Sequence, residues 1–158
     1  MALSRDLKKK HGFDSPRQEA YLNLARTQAE LSGPFVALFK KHRLSPATYN
    51  VLRILRGVRR FPEQGHDALP CSEIVQRMVT RVPDLTRLID RLEEKGLVDR
   101  RRGEEDRRVV RVRISTAGLH LLKKIDAPVA ELHRNTFASL SGAEVAELNR
   151  LLEKTRQS

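Results

Sequence analysis

The segment from Ser72 to Ser115 reads SEIVQRMVTRVPDLTRLIDRLEEKGLVDRRRGEEDRRVVRVRIS. Apolar residues at helical spacing predict a short helix over 72–78 and, after a break, a second helix from Pro83 to Glu94 that a glycine closes. From residue 98 onward the spacing becomes alternating, which predicts strands over 98–102 and 107–114. Two helices joined by a tight break and followed by a two-stranded ribbon form a winged helix-turn-helix.

Helical patterns flank this segment on both sides. Apolar stripes run through 15–44, through a helix that Ser45-Pro46 begins, through a long helix that Ser115 caps, and through a last helix near the end of the chain. Gly33-Pro34 is expected to kink or break the first of these helices, because proline removes a helix hydrogen bond. Two prolines and a glycine over 61–70 predict a loop. The predicted fold class is mainly α with a small β-hairpin wing (α+β).

This order of elements predicts four parts in the chain. Residues 1–14 carry three consecutive lysines without an apolar period and are expected to form a flexible basic arm. Residues 45–115 form the winged helix-turn-helix. Residues 15–44 and 116–158 carry apolar stripes that a single winged-helix core is too small to cover. We therefore expect an N-terminal dimerisation helix and C-terminal dimerisation helices, which bury these stripes against a second subunit.

The bulk composition favours a compact chain that binds a polyanion. Hydrophobic residues make up 39% and charged residues 32% of the chain, which is enough for a core and disfavours global disorder. Lysine and arginine number 31 against 20 acidic residues, giving a net charge of +11 and a pI near 10.5. Such an excess points to a nucleic acid or to an anionic membrane surface. The membrane alternative is disfavoured, because the basic residues lie on a ribbon and on polar helix faces without exposed aromatics.

Several function classes find no support in the sequence. The histidines have no metal-ligand spacing, and the chain has neither a glycine-rich phosphate loop nor a nucleophile motif. We therefore expect no enzyme, no metal and no cofactor. Cys71 is the single cysteine, which excludes a disulfide within the chain, and such a residue is more often inert than a redox sensor. The polar start of the chain and the lack of a long apolar run predict a cytoplasmic protein without a membrane partner.

Five motifs in and around the quoted segment carry a family resemblance. They are Glu73-Ile74-x-x-Arg77-Met78, the run from Arg81 to Glu93, Gly96-Leu97-Val98-x-Arg100, the run from Asp106 to Val110, and Ile114-Ser115-x-x-Gly118. In this order they resemble the second and third helices, the wing and the exit helix of the MarR family of winged helix-turn-helix transcription regulators. The resemblance covers roughly residues 69–118, and the flanking helices match in order and length.

The resemblance implies a homodimer whose first and last helices entwine, which binds short pseudo-palindromes in double-stranded DNA and usually represses transcription. Many relatives release DNA when a small aromatic acid or phenolic compound binds, or when a cysteine is oxidised. Peroxide-sensing relatives carry that cysteine near the N-terminus, so Cys71 does not support the oxidative mechanism. The alternative function is a non-specific nucleic-acid or anionic-surface binding protein without an effector.

Candidate DNA contacts lie at the start of the short helix, in the break that follows it, on the predicted second helix and on the ribbon. They are Ser72, Arg81, Pro83, Asp84, Thr86, Arg87, Arg91, Asp106, Arg107 and Arg108. On the helix, Arg87 can donate two hydrogen bonds to a guanine edge, and Thr86 can contact a thymine methyl group or a phosphate. The alternative is a solvated face with Arg87–Asp90 and Arg91–Glu94 ion pairs. Asp84 either accepts from a cytosine amino group or stabilises the helix start.

The wing tip and the helix after Ser45 each have two alternative interpretations. By the resemblance, Arg108 enters the minor groove and Asp106 holds it in position, so A/T-rich flanks with a narrow groove would be preferred. The alternative is an ordinary charged hairpin. On the helix after Ser45, three arginines share one face and either contact phosphates or form a solvated surface; they are Arg53, Arg56 and Arg60.

Most of the ring-bearing side chains fall on helices where related proteins hold effectors. By the resemblance, the candidate contacts of a small aromatic ligand are Tyr21, Phe35, Phe39, His42 and Tyr49. The alternative for each of them is core filling, because rings buried between helices serve packing as readily as binding.

Overall fold

A computed structural model describes residues 2–8, 10–60, 67–102 and 109–157 of the chain. The elements follow in this order: α1 (Ala2–Asp6), α2 (Pro16–Lys41), α3 (Pro46–Arg60), β1 (Leu69–Pro70), α4 (Cys71–Arg77), α5 (Leu85–Glu94), β2 (Val98–Arg102), β3 (Val110–Ile114), α6 (Thr116–Thr136) and α7 (Gly142–Thr155). The architecture is mainly helical with one small antiparallel sheet, which confirms the predicted fold class. None of the helices in these ranges is both long and apolar enough to cross a membrane.

Local capping signals define several helix boundaries. Ser45 accepts from the backbone N–H of Thr48 at 3.2 Å and donates its own N–H to the Thr48 hydroxyl at 2.8 Å, which fixes the start of α3. Ser115 caps α6 and Ser141 opens α7 with a reciprocal capping box. Gly96, at φ 65°, ends α5 in the left-handed conformation that glycine adopts without strain.

The sheet has three strands instead of the predicted two. β3 is central and pairs antiparallel with β2, where Val98 faces Ile114, and with β1, where Leu69 faces Val112. The loop predicted over 61–70 was therefore wrong at its end, while residues 61–66 lie outside the described residues. A strand of two residues is too short to display alternation in the sequence. The burial of Leu69 against the central strand is what places it in the sheet.

The core lies between α3, α4, α5, the first half of α6 and the sheet. Its fully buried side chains are Val51, Leu52, Leu55, Ile74, Ile89, Leu92, Val98, Val112, Ile114, Leu122 and Ile125. These residues come from both helices of the helix-turn-helix and from both strands of the wing. Packing therefore holds α5 and the base of the wing in one rigid unit.

The N-terminal end differs at two places from what the sequence suggested. Helix α2 is continuous through Pro34, so Gly33-Pro34 does not break it. Proline removes one hydrogen bond, but Phe35 and Phe39 pack on the core just beyond it, and such contacts stabilise the interrupted turn. The segment 1–14, which was expected to be a flexible arm, forms a helix over Ala2–Asp6, and Leu3 is buried. So short a segment contains too few apolar residues to reveal a helical period.

Gly118 marks a close approach between α6 and the end of α5. Ser115, three residues earlier, donates its N–H to the Leu97 carbonyl at 3.0 Å and its hydroxyl to the Gly96 carbonyl at 2.7 Å. A Cβ added at Gly118 would collide with the Leu97 carbonyl oxygen and lie 2.7 Å from Cγ1 of Ile114. Any larger residue must therefore push the wing away from α6.

We expect Gly118→Ala to lower the free energy of unfolding by about 1–3 kcal/mol, because the added methyl group overpacks a backbone contact. The matched control is Gly57→Ala in the interior of α3, where nothing lies within 4 Å of the added Cβ. That substitution is expected to be neutral or to stabilise by up to ~1 kcal/mol, since alanine favours helices over glycine. Urea unfolding of both variants provides the measurement. Equal midpoints for the two would contradict the proposed close packing.

Candidate nucleic-acid interface

The exposed face of α5 carries the candidate base-reading residues. Thr86, Arg87 and Arg91 are all exposed, and so are Arg81 and Pro83 in the segment that precedes the helix. Helix α5 begins at Leu85, so the expected start at Pro83 was wrong by two residues.

Asp84 is the reason for this later start. Its Oδ1 accepts from the backbone N–H of Arg87 at 3.0 Å, which makes Asp84 the N-cap. This contact supports the helix-start interpretation of Asp84. It also places Arg87 in the first turn of the helix.

Arg100 on β2 ties the wing to α5. Its Nη1 donates to Oε2 of Glu93 at 2.6 Å, and its Nη2 donates to Oδ1 of Asp90. The hydrogen bond that Arg100 donates to Asp90 is the largest of the causes that raise the pKa of Arg100, so the guanidinium stays charged. The guanidinium is half-buried between helix and strand. Arg100 is therefore engaged in the fold and is not one of the solvated wing cations.

This arrangement bears on the alternative interpretation of the helix face as a solvated surface with its own ion pairs. Asp90 contacts Arg100, and the Arg87–Asp90 and Arg91–Glu94 pairs of that alternative do not form. Among the described residues, Arg81, Arg87 and Arg91 have no ion-pair partner. The exposed side of α5 thus presents cations that no carboxylate of the described residues neutralises.

The wing adds further positive charge beside α5. Arg101 and Arg102 are exposed at the far end of β2, whereas Arg113 is held by Asp99 at 3.2 Å and by Asp67 at 3.5 Å. Three candidate residues at the tip lie outside the described residues; they are Asp106, Arg107 and Arg108. Ser72 is exposed in the first turn of α4. The structure thus brings the described candidates to the surface of the helix-turn-helix, on and next to α5.

A second feature is an open cleft of about 660 Å³ between α3 and α6. It is lined by Tyr49, Asn50, Arg53, Ile54, Arg56, Asp126, Val129, Ala130 and His133. Aromatic rings connect its wall to α2. Phe39 stacks on Tyr49 with centroids 4.2 Å apart, and Phe35 lies 5.0 Å from the ring of His133.

The charges of this cleft were not predicted from the sequence. Asp126 accepts from both terminal nitrogens of Arg56, at 2.7 and 2.9 Å, and contacts Arg53 at 3.5 Å. The hydrogen bond to Asp126 is the main cause of the raised pKa of Arg56. Both arginines are thus engaged with α6, which argues against their role as phosphate contacts. Their partner is 70 residues away in sequence from Arg56, so no local pattern could have indicated it.

The candidate effector residues separate into two groups. Phe35, Phe39 and Tyr49 form the aromatic cluster beside the cleft, where Phe39 is buried and Tyr49 lines the opening. Tyr21 is 71% exposed on the N-terminal half of α2, and His42 ends that helix. The structure does not bring these two to the cleft. His133 joins the cluster instead, from α6.

Cys71 lies at the start of α4, partly buried. Burial is the largest cause of the raised pKa of its thiol, so the reactive thiolate is disfavoured. The position supports the interpretation of Cys71 as an inert small residue.

An N-capped helix that packs against a short helix and a two-stranded wing is a winged helix-turn-helix, an architecture typical of DNA-binding proteins. Comparison with known proteins agrees, because the family model of the MarR family matches residues 44–110. The HTH-type transcriptional repressor IacR of Pseudomonas putida is 33% identical over 130 residues, which cover 82% of this chain and 73% of the relative. The chain belongs to the MarR family of DNA-binding transcription regulators.

Solved structures share the fold. The MarR transcription factor of Planctomyces limnophilus is 41% identical, with a TM-score of 0.65 and coverage of 90% of this chain and 98% of that one. BpsR of Bordetella bronchiseptica, whose DNA binding is regulated by 6-hydroxynicotinic acid, is 23% identical with a TM-score of 0.72. The match covers 87% of this chain and 98% of BpsR.

Proposed function

We propose that this regulator represses transcription as a homodimer on a pseudo-palindromic operator in double-stranded DNA. In each protomer, α5 enters the major groove and reads bases with Arg87 and Thr86. The wing follows the adjacent minor groove, where Arg108 inserts, Asp106 orients it and Arg107 contacts the backbone. Ser72, Arg81 and Arg91 contact phosphates beside α5. A regulator with this function works where the chromosome is, which for a bacterium is the cytoplasm.

The observation that carries the proposal is the positive face of α5, whose arginines have no ion-pair partner among the described residues. Arg81, Arg87 and Arg91 project from one rigid unit with the wing, and carboxylates on the same helix are held by Arg100. Selecting fragments of genomic DNA with the purified protein tests sequence-specific binding. Enrichment of one inverted repeat supports the proposal. Uniform recovery of all fragments supports the alternative of a non-specific nucleic-acid binder.

The helices at the two ends of the chain favour a dimer. On α2, Tyr21, Leu24 and Val36 are exposed, and α7 has no fully buried residue although it carries an apolar stripe. Leu151 on α7 is 47% exposed. Large apolar side chains on two unpartnered faces indicate a surface that a second subunit covers.

We expect light scattering at micromolar concentration to give about twice the chain mass of 18.1 kDa. Replacing Leu24 by Asp on α2 is expected to shift the mass toward the monomer, because a charge in an apolar interface is left without water. The control Lys124→Ala changes an exposed residue of α6 and should leave the mass unchanged. A parent protein that is monomeric throughout would overturn the dimer and the inverted repeat together.

The cleft between α3 and α6 is the proposed effector site. Its aromatic wall suits a planar ring, and Arg53 supplies a cation at the opening. Arg53 is half-exposed and contacts Asp126 at 3.5 Å, whereas Arg56 is bound by the same carboxylate through two short hydrogen bonds. A ligand carboxylate can therefore engage Arg53 without breaking the Arg56–Asp126 pair. The proposed ligand is a small aromatic acid of the kind that regulates BpsR, and its binding releases the operator.

We expect Arg53→Ala to weaken binding of 6-hydroxynicotinate by roughly 1.5–3 kcal/mol, the range for hydrogen bonds to charged groups. Titration calorimetry measures this change, with Arg134→Ala as the control on the exposed side of α6. An unchanged affinity in Arg53→Ala would remove this arginine from the effector site.

A further inference from the structure

A hydrogen bond from α3 fixes the segment that leads into α5. This segment, residues 78–84, lacks helix or strand and joins the two helices of the helix-turn-helix. The backbone N–H of Val79 donates to Oδ1 of Asn50 at 2.9 Å. At the other end of the segment, Asp84 caps α5. The segment is thus held at its start by a side chain of α3 and at its end by its own N-cap.

Asn50 also lines the cleft between α3 and α6, beside Tyr49 and Arg53. Its amide is a single planar group whose oxygen accepts from Val79 and whose NH₂ group can donate two further hydrogen bonds. A rotation of this amide moves its oxygen away from the Val79 N–H and moves its NH₂ group at the same time. The same side chain therefore borders the proposed effector and determines where the start of the segment lies.

We propose that Asn50 is a positioning residue that couples occupancy of the cleft to the placement of α5. This inference rests on the effector site proposed above. A ligand acceptor that draws the amide into the cleft removes the acceptor of the Val79 N–H. Val79 is 85% exposed, so little apolar packing holds it in place once that hydrogen bond is lost. Residues 78–84 then loosen, and Arg81 and the first turn of α5 no longer meet the major groove in one geometry.

Three substitutions test the contact itself. Asn50→Ala removes the acceptor, Val79→Pro removes the donor without changing the cleft, and Asn50→Asp keeps an acceptor oxygen. Met78 has φ −68° and ψ 135°. This is the extended conformation that a residue before proline adopts, so Met78 is compatible with a proline at position 79. We expect Asn50→Ala and Val79→Pro each to lower operator affinity roughly two- to tenfold, the range for one hydrogen bond. The double variant of Asn50→Ala and Val79→Pro should lose no more operator affinity than either single variant. Asn50→Asp should bind the operator as tightly as the parent does.

A cleft-filling variant tests the coupling without any ligand. Ala130 lines the cleft from α6, and Ala130→Phe adds a ring there. We expect this variant to lower operator affinity roughly two- to tenfold, as Asn50→Ala does, because both act through the loss of the same hydrogen bond. In the Asn50→Ala background the same ring should have no further effect. Thermal unfolding checks that each variant is folded, and fluorescence anisotropy on labelled operator measures affinity.

Two results would overturn the coupling. One is an Ala130→Phe variant that binds the operator as tightly as the parent, and the other is an equal loss in the presence and absence of Asn50. Failure of the effector proposal has a different signature. If 6-hydroxynicotinate does not bind the parent in calorimetry, while Ala130→Phe acts through Asn50, then that ligand is wrong and the coupling stands.

Discussion

Arg87→Ala is expected to lower affinity for the operator by about 1–3 kcal/mol per half-site, while affinity for random DNA changes little. Arg87 lies in the first turn of α5, exposed and without an ion-pair partner among the described residues. A guanidinium in this position can donate two parallel hydrogen bonds to one guanine. Because a homodimer has two copies, the loss on an intact inverted repeat should be about twice that on a single half-site.

The control for Arg87→Ala removes the same charge at a distance. Arg134 lies at the opposite end of α6 from the wing, 18 residues beyond Thr116, which corresponds to about 27 Å along a helix. Arg134→Ala should change binding to operator and to random DNA equally and only slightly. Fluorescence anisotropy on both DNAs at two salt concentrations provides the measurement. An equal loss on both DNAs for Arg87→Ala would assign Arg87 to a phosphate.

The helix-turn-helix was predictable because local rules determine most of it. The stripe of Leu85, Ile89 and Leu92 repeats at helical spacing, and these residues are buried as expected. Ser141 and Glu144, three positions apart, form a capping box. Such features depend on residues three or four positions apart, so the sequence displays them directly.

The errors arose where a distant contact decides the local structure. Leu69 joins a sheet because β3 lies beside it, and α2 continues past Pro34 where Phe35 and Phe39 pack on the core. The same holds in the cleft, whose Arg56–Asp126 pair joins residues 70 positions apart. Neither propensity nor periodicity contains such contacts. They become visible when the helices are placed side by side.

Arg100 is the clearest example of a role that the sequence did not indicate. In the sequence, Arg100 is one of several arginines near the wing, and nothing distinguishes it from a solvated cation. Local spacing also paired Asp90 with Arg87 on the same helix. The structure instead pairs Asp90 and Glu93 with Arg100, across the turn that joins α5 to β2. This exchange of partners leaves Arg87 without an ion-pair partner among the described residues and connects β2 to α5.

We expect Arg100→Ala to lower operator affinity by about 1–3 kcal/mol per protomer, for two physical reasons. The cluster of Arg100, Asp90 and Glu93 changes from a net charge of −1 to −2 beside a polyanion, and each unit charge near a surface contributes on this scale. The substitution also removes the connection that orients α5 relative to the wing. Arg100→Lys keeps the charge but not the planar fork that reaches both carboxylates, so its loss should be intermediate.

A variant without any charge in this cluster, one unit more positive than the parent, separates these two reasons. Arg100→Gln combined with Asp90→Asn and Glu93→Gln removes the guanidinium and both carboxylates, so repulsion of the phosphates no longer contributes. If Arg100 orients the helix, this triple variant should recover affinity for random DNA but not the ratio between operator and random DNA. The ratio depends on base contacts, which require α5 at one fixed angle, whereas random DNA is bound through charge alone. A triple variant that recovers the parent's ratio would show that Arg100 acts only by neutralising the two carboxylates, and that core packing alone fixes the helix.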